Sequence, residues 1–170
     1  MTQEKGKSSV KEDILFLILK IVIFLTLLAA MLLFVFGICR CGDNMMAPAF
    51  KDGDLAIYYR LQKEYQPSDT VVIEKDGETQ IRRIVAKSGD SVEITGEGLK
   101  INGYIQQEAG IYTETLPYTE GISFPIVLGE DEYFVLGDNR SGAKDSRIYG
   151  AVKKTEIKGA VITLLRHRGF

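Results

Sequence analysis

Residues 137–150 read Gly137-Asp138-Asn139-Arg140-Ser141-Gly142-Ala143-Lys144-Asp145-Ser146-Arg147-Ile148-Tyr149-Gly150. The Gly-Asp-Asn head marks a tight turn after the β-rich run Tyr133–Leu136, since these residues accept or stabilise turn backbone. The tail sets Asp145 beside Arg147, a charge pair within one short segment. Two stretches upstream have the same character. Met45-Met46-Ala47-Pro48 is followed by Gly53-Asp54, and Arg82-Arg83-Ile84-Val85-Ala86-Lys87-Ser88 is followed by Gly89-Asp90. Each alone is a turn with flanking charges; their order along the chain carries the information.

Around them, residues 42–170 show no sustained helical period. Short runs rich in β-branched and aromatic residues predict strands at Leu55–Tyr59, Thr70–Glu74, Gln80–Ala86, Ser91–Thr95, Leu99–Ile101, Tyr133–Leu136 and Ala160–Leu164. Asp76-Gly77, Ser88-Gly89-Asp90 and Asn102-Gly103 supply turns between them. The expectation is a mostly β domain, a barrel or sandwich. Residues 106–125, with Gly110, Pro117, Gly121 and Pro125, read as a variable insert.

The N-terminal part differs in kind. Ile14 to Ile38 is apolar apart from Lys20 and Thr26, and about 20 such residues cross a bilayer as a helix. The run exceeds the core of a cleaved secretory signal, and no A-x-A site follows it. The expected division is a cytoplasmic tail at 1–13, a transmembrane anchor at 14–38 and an extracytoplasmic β domain at 39–170. Lys5, Lys7, Lys11 and Lys20 precede the span, against Arg40 and Lys51 just after it, which places the N-terminus inside and the β domain outside a cell membrane. Beyond Cys41 stand 16 Lys/Arg and 20 Asp/Glu, so no basic stripe suggests nucleic acid. Cys39 and Cys41, two apart, suit neither a mutual disulfide nor a metal set, and no metal or other cofactor is expected. The lone histidine, His167, lies between Arg166 and Arg168 and reads as solvated.

Together, behind an N-terminal anchor, the three stretches resemble the boxes of type I signal peptidases, with the pattern G-D-N-R, spacer, D-S-R, aromatic, G the most specific. The resemblance covers Asp43 to Val152 apart from the insert. It implies a signal-peptidase-type β-barrel ectodomain on the membrane surface, whose members cut secreted preproteins with a serine nucleophile and a lysine base. Counted within the boxes, the nucleophile position is Met45 and the base position is Arg82. A thioether has no proton to give, and a guanidinium keeps its own up to a pH above ~12. Two supporting positions fall on Asp43 and Ala143, where many members carry serine. Structural or binding positions match at Met46, Pro48, Gly53, Asp54, Arg83, Asp138, Asn139, Arg140, Asp145, Ser146 and Arg147, with Arg83, Asp145 and Arg147 implied to form one salt-bridge cluster.

The expectation is thus an inactive member with no catalytic residue. It resembles the dyad-lacking signal-peptidase-like proteins of Gram-positive pilus loci, which implies a secreted polypeptide or a pilin, and a pilus sortase, as partners. The competing expectation is an active signal peptidase with an unrecognised dyad. A further expectation is that Met45 leaves a soft apolar groove able to hold a peptide, with Arg82 paired to Asp43 across it.

Overall fold

The computed structural model describes residues 10–166, and the chain divides into two units at Val35 and Phe36. The first holds helix α1, Val10–Val35, with no buried residue and with the length and apolarity to cross a membrane. Its 26 residues span about 39 Å at 1.5 Å each. The helix stops three residues short of the expected anchor end. Phe36-Gly37-Ile38 belong instead to a strand paired with Ile57–Tyr59, and glycine suits position 37 because a Cβ there would meet the Tyr58 ring at 2.2 Å. An apolar run can suit lipid or a sheet equally, and here it continues from the helix into a strand.

The second unit is mostly β, as expected. Its strands are β1 Phe36–Arg40, β2 Leu55–Tyr59, β3 Thr70–Lys75, β4 Glu78–Ala86, β5 Ser91–Thr95, β6 Gly98–Ile101, β7 Tyr104–Ile105, β8 Ile126–Val127, β9 Glu132–Leu136, β10 Val152–Lys153 and β11 Ile157–Leu165. A one-turn helix α2, Ser146–Tyr149, precedes β10. A seven-stranded sheet runs β1-β2-β11-β3-β4-β9-β10 and a four-stranded sheet runs β7-β6-β5-β8; all the pairings are antiparallel.

The hairpin β3–β4 sets up the site. Its two-residue turn, Asp76-Gly77, has φ of 54° and 79°, the type I′ signature, with Lys75 opposite Glu78. Such a turn makes the flanking pair a hydrogen-bonded one, so Glu78, Gln80 and Arg82 turn their main-chain groups toward β3. Ile84 continues the alternation, bonding Ser68 and Asp69 on that side. Thr79 and Ile81 therefore turn theirs the other way. There β9 pairs only with Arg83–Ala86, which leaves the Thr79–Ile81 edge without a strand.

Beneath this edge, Met46 (0 % exposed) packs with Cys39, Cys41, Phe50, Ala56, Tyr58, Val72 and Ile81. That plug fixes the turn that carries Met45.

Candidate functional site

The Met45 turn is held by short-range hydrogen bonds. Asp43 Oδ1 accepts from the Met45 N–H at 2.8 Å, and Phe50 N–H reaches the Met46 carbonyl at 2.9 Å. Gly53, at φ 89°, folds the chain back so that Cys41 and Asp54 exchange contacts with this loop. The Asp54 carboxylate accepts from Lys51 N–H at 3.0 Å. Pro48 lies exposed on the far side of the turn.

Arg82 comes from β4 and is 1 % exposed. Its guanidinium donates from Nε to the Lys144 carbonyl at 3.0 Å, from Nη1 to the Ile81 carbonyl at 2.6 Å and from Nη2 to Met45 Sδ at 2.9 Å. Lys144 N–H also points at Met45 Sδ, at 3.4 Å. The structure thus brings positions 45 and 82 into direct contact. Asp43 Oδ2 stands 3.7 Å from Nη1, an ion pair but beyond hydrogen-bonding reach. The expected hydrogen-bonded Arg82–Asp43 pair does not form, because Asp43 is turned to cap its own loop, and only the longer ion pair remains.

Arg83 leaves β4 on the opposite face. Its Nε and Nη2 meet Asp138 Oδ1 and Oδ2 at 2.8 and 2.6 Å, and Nη1 reaches the Ser68 carbonyl at 3.0 Å. Asp145 instead pairs with Arg147, at 2.9 and 2.8 Å, and accepts from Gly137 N–H. The implied cluster of Arg83, Asp145 and Arg147 is therefore two separate pairs. The register explains the split: Arg83 sits opposite Leu136, two residues from Asp138, so Asp138 is the carboxylate at hand.

The last box closes on the first. Asn139 N–H donates to the Met45 carbonyl at 2.9 Å. A Cβ at Gly137 would fall 2.6 Å from that carbonyl oxygen and 2.3 Å from the Ala143 methyl, so only glycine permits the approach. Ser146 Oγ, fully buried, accepts from Val135 N–H at 3.0 Å and serves the fold. Tyr149 brings its phenol to 3.5 Å from Gln80 Oε1; burial pushes its pKa well up, against the opposing charge of Arg82, and it stays protonated. Among the described residues no hydrogen bond joins a serine or threonine hydroxyl to a lysine amine. His167 lies outside the described residues.

Sequence reading missed the part played by residues 106–125. Glu108 grips the buried Arg140 guanidinium through both oxygens, and Thr115 Oγ1 accepts from it at 2.6 Å. Leu116 offers its carbonyl to Arg147 at 3.0 Å, while Tyr118 lies under the Arg147 guanidinium at 4.3 Å. Arg83, Arg140 and Arg147 against only Asp138 and Asp145 in the boxes were a signal that another acid was needed, since buried charges require partners.

Between the Asp43–Met45 turn and the β4 edge lies a depression of about 430 Å³, lined by Gly42, Asp43, Met45, Glu78, Thr79, Gln80, Arg82 and Lys144. Apart from Gly42 and Met45 the lining residues are polar or charged, while their apolar atoms line it as much as their polar ones do, so the groove is mixed rather than the apolar one expected. The arrangement offers unpaired strand backbone beside a Met45–Arg82 contact across which no proton can move.

Comparison with known proteins places these features. The family described as "Signal peptidase, peptidase S26" matches residues 14–165. Signal peptidase I of Bacillus licheniformis is 29% identical over 173 residues, covering 94% of this chain and 91% of that protein. Signal peptidase I P of Bacillus subtilis subsp. natto is 28% identical over 129 residues, covering 69% and 70%. The crystal structure of a signal peptidase I from Enterococcus faecalis V583 aligns with a TM-score of 0.47 at 28% identity, over 59% of this chain and 98% of that one.

Proposed function

The chain belongs to the signal peptidase family, peptidase S26, and from that premise we propose that it is a member that holds polypeptide without cutting it. It acts as a membrane-anchored, non-catalytic accessory protein or chaperone of protein secretion or pilus assembly. Its anchor lies within 14–38 and ends with the helix at Val35, its tail 1–13 faces the cytoplasm, and its β domain, expected from 39 and begun by β1 at Phe36, lies outside. One observation carries the reading: the Met45 thioether and the Arg82 guanidinium touch at 2.9 Å, where an acyl-forming hydroxyl and a neutral amine would be required. Neither group can change places with its counterpart by ionising, for the thioether carries no proton and the guanidinium does not shed its own. Asp43 adds a carboxylate where a developing oxyanion needs donors.

What remains suits binding. An extended segment can add to the unpaired Thr79–Ile81 edge as a strand, gaining main-chain hydrogen bonds without chemistry. The partners proposed are a secreted polypeptide, in a Gram-positive setting a pilin, together with a pilus sortase. The second reading, an active signal peptidase, is supported by the names of the relatives.

Full-length protein in detergent, offered a synthetic preprotein, distinguishes the two. The expected result is no cleavage by the unaltered chain and weak cleavage once Met45→Ser, Arg82→Lys, Ala143→Ser and Asp43→Ser are combined. Cleavage by the unaltered chain, lost at one position of a serine scan, would establish the peptidase. Co-purification from membranes identifies the partner.

A further inference from the structure

Along the free edge of β4, the main-chain groups offered to an added strand are those of Thr79 and Ile81. One of these is already occupied. Arg82 Nη1 donates to the Ile81 carbonyl at 2.6 Å in a buried contact. The same guanidinium is tied through Nε to the Lys144 carbonyl and through Nη2 to Met45 Sδ, so three chain segments converge on it. It is not a side chain that swings aside freely, since release would strand buried donors and acceptors.

Resting on the peptide-holding reading above, we propose that Arg82 is an internal stop that sets the register of the bound strand. A segment entering the depression pairs with Thr79 and then finds the next acceptor taken. Its ladder to β4 ends there, and the chain beyond turns out of the groove before the Met45–Arg82 contact. The ligand class is an extended peptide whose last β4-facing N–H lies opposite Thr79. Arg82 competes with the peptide for the Ile81 carbonyl and so lowers affinity while fixing position.

The experiment uses full-length protein in detergent and a capped fluorescent peptide that joins an Ala-X-Ala signal-peptide end to three following residues. Each amide is replaced in turn by an ester, which deletes one N–H without adding bulk. In the unaltered protein, the ester that removes the N–H opposite Thr79 weakens binding about three- to tenfold, and the ester opposite Ile81 has no effect. In Arg82→Met, affinity rises about three- to tenfold and that silent position becomes costly. An ester scan that is equally costly opposite Ile81 in the unaltered protein, or identical in the two proteins, overturns the stop. If Arg82→Met does not fold by circular dichroism, the silent position in the unaltered protein decides alone. Binding by Arg82→Met alone makes Arg82 a plug rather than a register stop and overturns the proposal; binding by neither overturns the peptide-holding reading and the stop with it.

Discussion

Arg82 and Arg83 are neighbours in the chain with unlike surroundings, because alternate strand residues leave opposite faces. Arg82 lines the depression beside Met45, whereas Arg83 opens onto another, of about 770 Å³, with Asp138 and Pro48. The contact between positions 45 and 82 was foreshadowed by counting within motifs. The orientation of Asp43 and the choice of Asp138 by Arg83 were not, since both depend on where a turn directs a short side chain. Cys39 and Cys41 give a residue-scale prediction. Both are free and buried; burial pushes both thiols above the usual 9.0, and the neighbouring sulfur raises Cys39 further. A folded-state value above the unfolded one favours the protonated fold at low pH, and that contribution is lost as pH rises through the higher value. At pH 8 both thiols should react with iodoacetamide far more slowly in the folded protein than in urea. Equal rates in the two states, read by mass spectrometry, would contradict their placement.

At the scale of elements, punctuation made the strands legible. Asp76-Gly77, Gly89-Asp90 and Asn102-Gly103 each fall at a turn, and β2 and β5 have the bounds expected from their runs of branched and aromatic residues. Strand β1 was hidden by its own composition, which continues the apolar helix without a break. The short β7, β8 and β10 carry two residues each, too few for any period to show. In β11, Gly159 sits at an irregularity where the strand passes from β3 to β2, and a Cβ there would stand 2.1 Å from the Tyr59 carbonyl oxygen. Backbone cannot yield as a side-chain tip can. Gly159→Ala should therefore cost about 2–3 kcal/mol in chemical denaturation, while Ala at exposed Gly96, which meets nothing nearby, should be nearly silent.

At the scale of the molecule, the segment from 106 to 125 is joined to the last box by Glu108, Thr115, Leu116 and Tyr118 rather than by strands. Deleting the Glu108 carboxylate leaves Arg140 buried without its acid, at a cost of about 3 kcal/mol. Glu108→Ala should lower the denaturation midpoint by that much, and Glu108→Gln by less. An unchanged midpoint in both would mean that the pair contributes nothing. Long surface connections are where digestion ordinarily begins. Between Lys100 and Arg140 the chain has no basic residue at all, so trypsin finds nothing to cut there even when the segment opens. Clamped by arginines and free of its own, the connection should outlast trypsin whether or not its clamps hold, whereas a protease that cuts after aromatic residues meets Tyr112 and Tyr118.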